Sequence, residues 1–182
     1  LIENNGCIKA YFPFREGRGS FLKRFWTTAD TDFIGYIYDN YYLNSDLVKQ
    51  IILLLSQDYD LVIGSRLIPE DASASQNFRK IISKSYNLIV RLLFKKDLVT
   101  DIQCHCKFLK RNAFLKIASK IKSNRSFFDT ELVVYAQESG YRIKEMPVSF
   151  CATGDSFIDF FKFGLEDLFG LIKLKLSLIM QD

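Results

Sequence analysis

Asp39 and Asn40, in the stretch FIGYIYDNYYLNSDL (33–47), follow an apolar, aromatic run and stand before a helical pattern. Open α/β sheets place their ligands at the carboxyl ends of strands. A hard divalent ion, Mg²⁺ or Mn²⁺, is held there by one or two carboxylates together with phosphate oxygens of a substrate. Asp-Asn after a strand is more often a simple turn former. Upstream, REGRGS (15–20) sets two glycines around Arg18 between a strand-like and a helix-like segment. Free backbone N–H groups at a helix start and a two-pronged guanidinium both suit phosphate, although an ordinary turn has the same composition.

Further along, DLVIGSRLIP puts Arg66 just past a strand end, on the same rim as Asp39. TDIQCHCKF supplies Asp101 and Gln103 in a loop, and RSFFDTEL supplies Asp129 and Glu131 at a helix entry. The helix dipole favours acids at that position whether or not they bind anything. In FRKIISKSYNLIVRLLF, Arg79, Ser83 and Asn87 recur every four residues and share one ridge. Cys104, His105 and Cys106 are zinc-ligand types, but neighbours in an extended segment face alternate sides and no CxxC partner exists, so zinc is not expected.

These residues need elements to position them. CIKAYFPF (7–14) reads as a strand, REGRGS as a tight loop and FLKRFWTTA as a helix; FIGYIY is the next strand. Asn44 or Ser45 caps the helix DLVKQIILLLSQ, with Asp46 in its first turn, and DLVIGS is an apolar strand buried on both faces. After a polar loop, the periodicity of FRKIISKSYNLIVRLLF places Ile81, Ile82, Leu88, Ile89, Leu92 and Leu93 on its buried side. CKFLK is a strand, NAFLKIAS a short helix capped by Asn112, FDTELVVYAQES a helix closed by Gly140, and YRIKEMPVSF a strand with Pro147 near its edge. Strands alternating with helices predict an α/β layer architecture. The last segment sets Phe157, Phe160, Phe161, Leu165, Leu168, Phe169, Ile172 and Leu176 on a broad apolar face opposite lysines and acids. Such a helix lies in a membrane interface or packs on its own core.

The 182 residues, 48% hydrophobic and 15% aromatic, suffice for one domain with a sizeable core. The formal charge of +4 comes from scattered Lys and Arg, which fits a phosphate-bearing ligand or an anionic membrane surface rather than nucleic acid. Cys7, Cys104, Cys106 and Cys151 follow no framework spacing and no signal peptide, so reduced thiols in a cytosolic compartment are expected. Arg91 breaks LIVRLLF, and Lys162, Glu166, Asp167, Lys173 and Lys175 punctuate the C-terminal run, so contact with a bilayer would be at its surface. The first residue is Leu1 and a strand follows almost at once, which leads us to expect a chain that starts partway through a larger protein.

In order and spacing, the segments GRGSFLKRFWTTADTDFIGYIYDN, DLVIGSRLIP, FRKIISKSYNLIVRLLF, VTDIQCHCKFLKR, FFDTELVVYAQESGYRIKEMPV and the GDS before the final helix resemble the family 2 glycosyltransferases. The resemblance is to the dolichyl-phosphate mannose synthase and polyprenyl-phosphate glucosyltransferase group. It implies a GT-A-like, Rossmann-like, mostly parallel sheet flanked by helices over 1–155, likewise incomplete at its start, and a C-terminal amphipathic helix over 156–182. The implied reaction moves a sugar, with inversion, from a nucleotide diphosphate donor of the GDP-mannose or UDP-glucose type to a polyprenyl phosphate, on the cytoplasmic side of a membrane.

The resemblance also implies roles. Asp101, Arg66 and Gln103 would be catalytic; Arg18, Asp39, Asn40, Asp129 and Glu131 would bind the donor; Arg79, Ser83, Asn87 and Ser156 would meet the acceptor phosphate; Asp39 would hold Mg²⁺ or Mn²⁺. The family's Asp-x-Asp falls on Tyr38, Asp39 and Asn40, leaving one carboxylate in the middle position; His105 replaces a glycine, and Phe157 a lysine. The rival expectation is a non-catalytic relative that serves as a scaffold or partner subunit.

Overall fold

In the computed structural model, the described backbone comprises residues 18–28, 30–37, 41–42, 45–68, 77–94, 99–125, 127–150 and 157–180; side chains are described for 22–24, 26–28, 30–37, 46–68, 84–94, 99–125, 127–148 and 166–180. The expected strand at 7–14 lies outside these residues. The sheet is built from β1 (Phe33–Ile37), β3 (Leu61–Ser65), β4 (Cys106–Lys110) and β5 (Ile143–Pro147), in the order β1-β4-β3-β5. β4 runs antiparallel to both neighbours and β3 runs parallel to β5. Three strands therefore share one direction, and β4 alone opposes them from inside the sheet. All five residues of β3 are buried, as an apolar strand covered on both faces must be.

Beyond Pro147 the expected single strand divides. Val148 still donates its N–H to Ser65 O at 3.2 Å, and the chain then forms β6 (Ser149–Phe150). β6 pairs antiparallel with β2 (Tyr41–Tyr42) in a separate two-stranded sheet. Tyr41 and Tyr42, which follow Asp39 and Asn40, are thus strand residues.

Helices α1 (Arg18–Thr28), α2 (Ser45–Gln57), α3 (Asn77–Phe94), α4 (Arg111–Ile117), α5 (Phe128–Glu138) and α6 (Phe157–Ile179) supply the rest of the core. α1 begins at Arg18, so Arg18 and Gly19 are helical rather than part of the expected glycine loop; a glycine in a first turn, where N–H groups lack helical partners anyway, disturbs little. α4 begins at Arg111, with Lys110 rather than Asn112 at the cap position. A tertiary contact sets that boundary: the Arg111 guanidinium donates to the carbonyls of Trp26 (3.1 Å) and Thr27 (2.8 Å) at the end of α1. α2 turns Ile51 and Leu55 inward, each contributing about 1.5–3 kcal/mol by burial. α5 is buried from Phe128 through Ala136, which is how a helix enclosed on all sides reads. Trp26 packs edge-on against Phe114, with ring centroids 4.9 Å apart, and against Tyr36 and Phe128.

The orientation of α3 overturns an expectation. Leu88, Ile89 and Leu92, expected inside, are 57%, 37% and 69% exposed, while Tyr86, Asn87, Val90 and Phe94 are buried. Two polar contacts turn the helix: Asn87 Oδ1 accepts the N–H of Ile102 at 3.0 Å, and the Tyr86 hydroxyl meets that of Thr130 at 2.9 Å. α6 behaves alike. Its Leu171, Leu174 and Asp167 face inward, whereas Phe169, Ile172 and Leu176 face outward. The two helices pack on each other, with Lys175 Nζ 5.6 Å from the centre of the Phe94 ring. No described helix is long and apolar enough to cross a membrane.

Candidate active site

β1, β3 and β5 end on one rim, and β4 starts there, since Ile37 pairs with Cys106 and Ser65 with Pro147. The loop entering β4, residues 99–105, meets side chains from β3, β4, β5, α3, α5 and α6. From β5, Glu145 Oε1 accepts the N–H of Thr100 (2.8 Å), the Thr100 hydroxyl (2.8 Å) and the N–H of Asp101 (3.0 Å). From α3, Asn87 holds Ile102. From β4 itself, Lys107 turns back and donates to the carbonyl oxygens of Ile102 (2.9 Å) and Cys104.

Arg66 leaves β3 and meets Asp101 in a fork. Its Nε donates to Oδ2 at 2.7 Å, its Nη2 to Oδ1 at 2.6 Å, and its backbone N–H to Oδ2 at 2.9 Å. The Asp101 side chain is wholly buried and that of Arg66 is 21% exposed. Both carboxylate oxygens therefore serve to aim Arg66, and the guanidinium is the partner that still reaches the surface. Such paired N–H···O bonds fix the plane of the group as well as its place.

Asp129, from α5, is also wholly buried. Lys107 Nζ donates to its Oδ1 at 2.7 Å, the Tyr36 hydroxyl donates to the same oxygen, and His105 Nε2 stands 3.5 Å from Oδ2. Lys107 itself is fully buried. This cluster ties β1, β4, α5 and the loop together. Glu131 does not join it. Its Oε2 accepts the N–H groups of Lys122 (2.9 Å) and Ser123 (2.7 Å), so it pins the segment after α4. Burial raises its pKa above the usual carboxylate value, with those two N–H bonds opposing. Burial likewise raises the Cys106 thiol, the Cys104 thiol nearby adding to the effect.

Gln103 reaches α6: its Nε2 donates to Asp167 Oδ2 at 2.7 Å. Asp167 and Glu131 also border an open hollow of about 700 Å³ between α5, α6 and the 122–127 segment, with Lys122, Arg125, Phe127 and Lys173 around it.

Of the expected site residues, Arg66, Asp101, Gln103, Asn87 and Asp129 thus converge on one loop. Asn87 is 4% exposed and bonded to Ile102 rather than standing on an open ridge. Asp39, Asn40 and Ser156, and the side chains of Arg18, Arg79 and Ser83, lie outside the described residues. Among the described residues no group of three or more His, Cys, Asp or Glu could hold a metal ion. Sequence reasoning missed Lys107, Glu145, Tyr36 and Asp167. Lys107 alone carried a signal, a cation inside the apolar strand pattern CKFLK.

No known family profile matches the chain. It is 32% identical over 158 residues, 86% of the chain, to glycosyltransferase AglD of Haloferax volcanii, of which it spans 24%. It is 25% identical over 126 residues to dolichyl-phosphate beta-glucosyltransferase of Dictyostelium discoideum, covering 68% of the chain and 38% of that protein. The chain therefore spans well under half the length of these relatives. Among solved structures, glucosyl-3-phosphoglycerate synthase from Mycobacterium tuberculosis, in complex with Mn²⁺, uridine diphosphate and phosphoglyceric acid, superposes with a TM-score of 0.59 at 15% identity, over 91% of this chain and 55% of that one. A second complex of that synthase, with glucosyl-3-phosphoglycerate, gives 0.58 at 14%. The fold is thus the α/β architecture of GT-A glycosyltransferases, and the sequence relatives named here are glycosyltransferases.

Proposed function

We propose that this chain is the catalytic part of a family 2 glycosyltransferase. It would transfer a sugar, with inversion, from a nucleotide diphosphate to a polyprenyl phosphate at a membrane surface. The observation that carries the reading is Arg66, fixed by a buried carboxylate at the carboxyl rim of three co-directional strands. A preorganised guanidinium there stabilises charge that develops on a leaving diphosphate. The acceptor needs no strong base, because a phosphate monoester has a second pKa of about 6 and is largely ionised at pH 7. What the site must supply is cationic groups that hold two anions together.

In this reading Asp101 orients Arg66, Gln103 borders the sugar, and Asp129 supports the loop through Lys107. Arg18, Asp39 and Asn40 meet the donor, and Arg79, Ser83 and Ser156 the acceptor phosphate. Asp39 follows β1 by two positions, and β1 delivers the chain to the rim that holds Arg66. One carboxylate together with diphosphate oxygens is a donor set that Mg²⁺ or Mn²⁺ accepts, and the ion would neutralise the leaving group.

The membrane reading rests on α3 and α6, which leave Leu88, Leu92, Phe169, Ile172 and Leu176 more than half exposed. Lys84 and Lys173 on the same helices are exposed too, which complements anionic headgroups. The bilayer is the occupant we assign to this face, with residues 1–155 as the catalytic body.

The test is transfer of radiolabelled sugar from UDP-glucose or GDP-mannose into lipid extract, using the intact protein with polyprenyl phosphate in anionic vesicles and Mg²⁺ or Mn²⁺. Wild-type protein transfers label and Arg66→Lys, which cannot fork, loses at least about tenfold. Failure of the wild type with every common donor overturns the proposal. Absence of transfer together with absence of metal-dependent nucleotide binding by calorimetry would make the chain a scaffold.

A further inference from the structure

Gln103 is the one position of the 101–103 turn whose carboxamide is met by α6. Asp101 is gripped by Arg66, and Ile102 by Asn87 of α3 and Lys107 of β4, so the two preceding positions are held by elements other than α6. Asp167 is 2% exposed, and its Oδ2 lies 2.7 Å from Gln103 Nε2. α6 holds this carboxylate in place through Leu171 and Leu174, 0% and 3% exposed. Gly170 brings the helix so near the 122–127 segment that a Cβ there would stand 2.8 Å from the Phe127 ring.

A carboxylate accepts hydrogen bonds and does not donate them, whereas a carboxamide has one end of each kind. Opposite Asp167 the amide can bond only through its NH₂. We propose that Asp167 is a positioning residue that fixes the orientation of the Gln103 amide, so that Gln103 presents its carbonyl oxygen as an acceptor to a donor-sugar hydroxyl. The proposal rests on the glycosyltransferase reading for the identity of that ligand. The orientation itself is independent of it.

A charge exchange across the bond tests both parts. Asp167→Asn keeps the shape but lets the amide bond either way round, so Gln103 turns over in part of the molecules. Gln103→Glu sets two carboxylates against each other. The double variant Gln103→Glu/Asp167→Asn conserves total charge and restores a bond from the Asn amide to one Glu oxygen, leaving the other oxygen, an acceptor, turned as before. With side-chain ¹⁵N NMR, the Gln103 NH₂ protons exchange slowly in wild type and faster in Asp167→Asn.

In the transfer assay, kcat/KM falls about tenfold in each single variant, with the loss in donor KM, and returns to within about threefold of wild type in the double. Fast exchange of these protons in wild type overturns the orientation. Recovery of thermal stability in the double variant with an unchanged donor KM in Asp167→Asn overturns the role toward the sugar. A wild type without any transferase activity removes the ligand assignment, and the NMR result still decides the orientation.

Discussion

Lys107 carries an ammonium into a position with no exposure, and the cost of that burial is offset by two carbonyl oxygens and Asp129. Removing one partner of such a pair leaves the other charged and desolvated. Lys107→Met is expected to lower unfolding free energy by about 3–5 kcal/mol, because Asp129 remains; denaturant titration measures it. Lys107→Met together with Asp129→Leu should recover part of that loss, since an apolar pair needs no hydrogen bonds.

Glu131 gives a pH signature. Its pKa lies above the ordinary 4.5 because burial disfavours the ionised form. The folded chain therefore binds this proton more readily than the unfolded chain does, and stability falls as pH rises through the window between the two values. Glu131→Gln keeps an acceptor for Lys122 and Ser123 without the charge. Calorimetry should show it melting above wild type at neutral pH, by a margin that shrinks as the pH is lowered towards 4.5. Residue types at the site were readable because Arg66, Asp101 and Gln103 flank strands in the order the resemblance requires. Their division of labour was not. That Asp101 spends both oxygens on Arg66 depends on the β3–β4 register, which no local pattern encodes.

At the scale of elements, periodicity located α3 and α6 but assigned the inner side of α3 to the wrong stripe. A hydrophobic stripe states that two sides of a helix differ and not which one meets the protein. Asn87 and Asp167 turn inward because each has a partner on the 99–105 loop, and the leucines and phenylalanine are carried outward as a consequence. The triple change Phe169→Ser, Ile172→Ser and Leu176→Ser should reduce vesicle sedimentation at least about tenfold, with the melting temperature shifted by only a few degrees, since these side chains are exposed. Gly170→Ala acts where α6 meets Phe127. Its Cβ would meet the Phe127 ring at 2.8 Å, and overpacking of that kind costs about 1–3 kcal/mol, read from thermal unfolding.

For the whole molecule, the α/β class followed from the alternation of patterns, but the reversed central strand did not. CKFLK reads as a strand in either direction, and only pairing with both β1 and β3 shows which way it runs. The expected boundary near residue 155 bears on stability. α6 contributes Leu171 and Leu174 to the same core as the sheet. A chain ending at residue 155 should therefore melt about ten degrees lower or more and bind a hydrophobic dye, as scanning fluorimetry would show.

The placement of β4 also governs how this sheet can come into being during synthesis. Among the described strands, β1 has β4 as its neighbour in the four-stranded sheet, and β3 lies between β4 and β5. Among the described strands, Phe33–Ile37 and Leu61–Ser65 therefore gain their shared neighbour only when Cys106–Lys110 threads between them. Until that insertion, the edges that β4 will cover stay open on the nascent chain. That interval is when a holding chaperone would matter most to the yield of this protein.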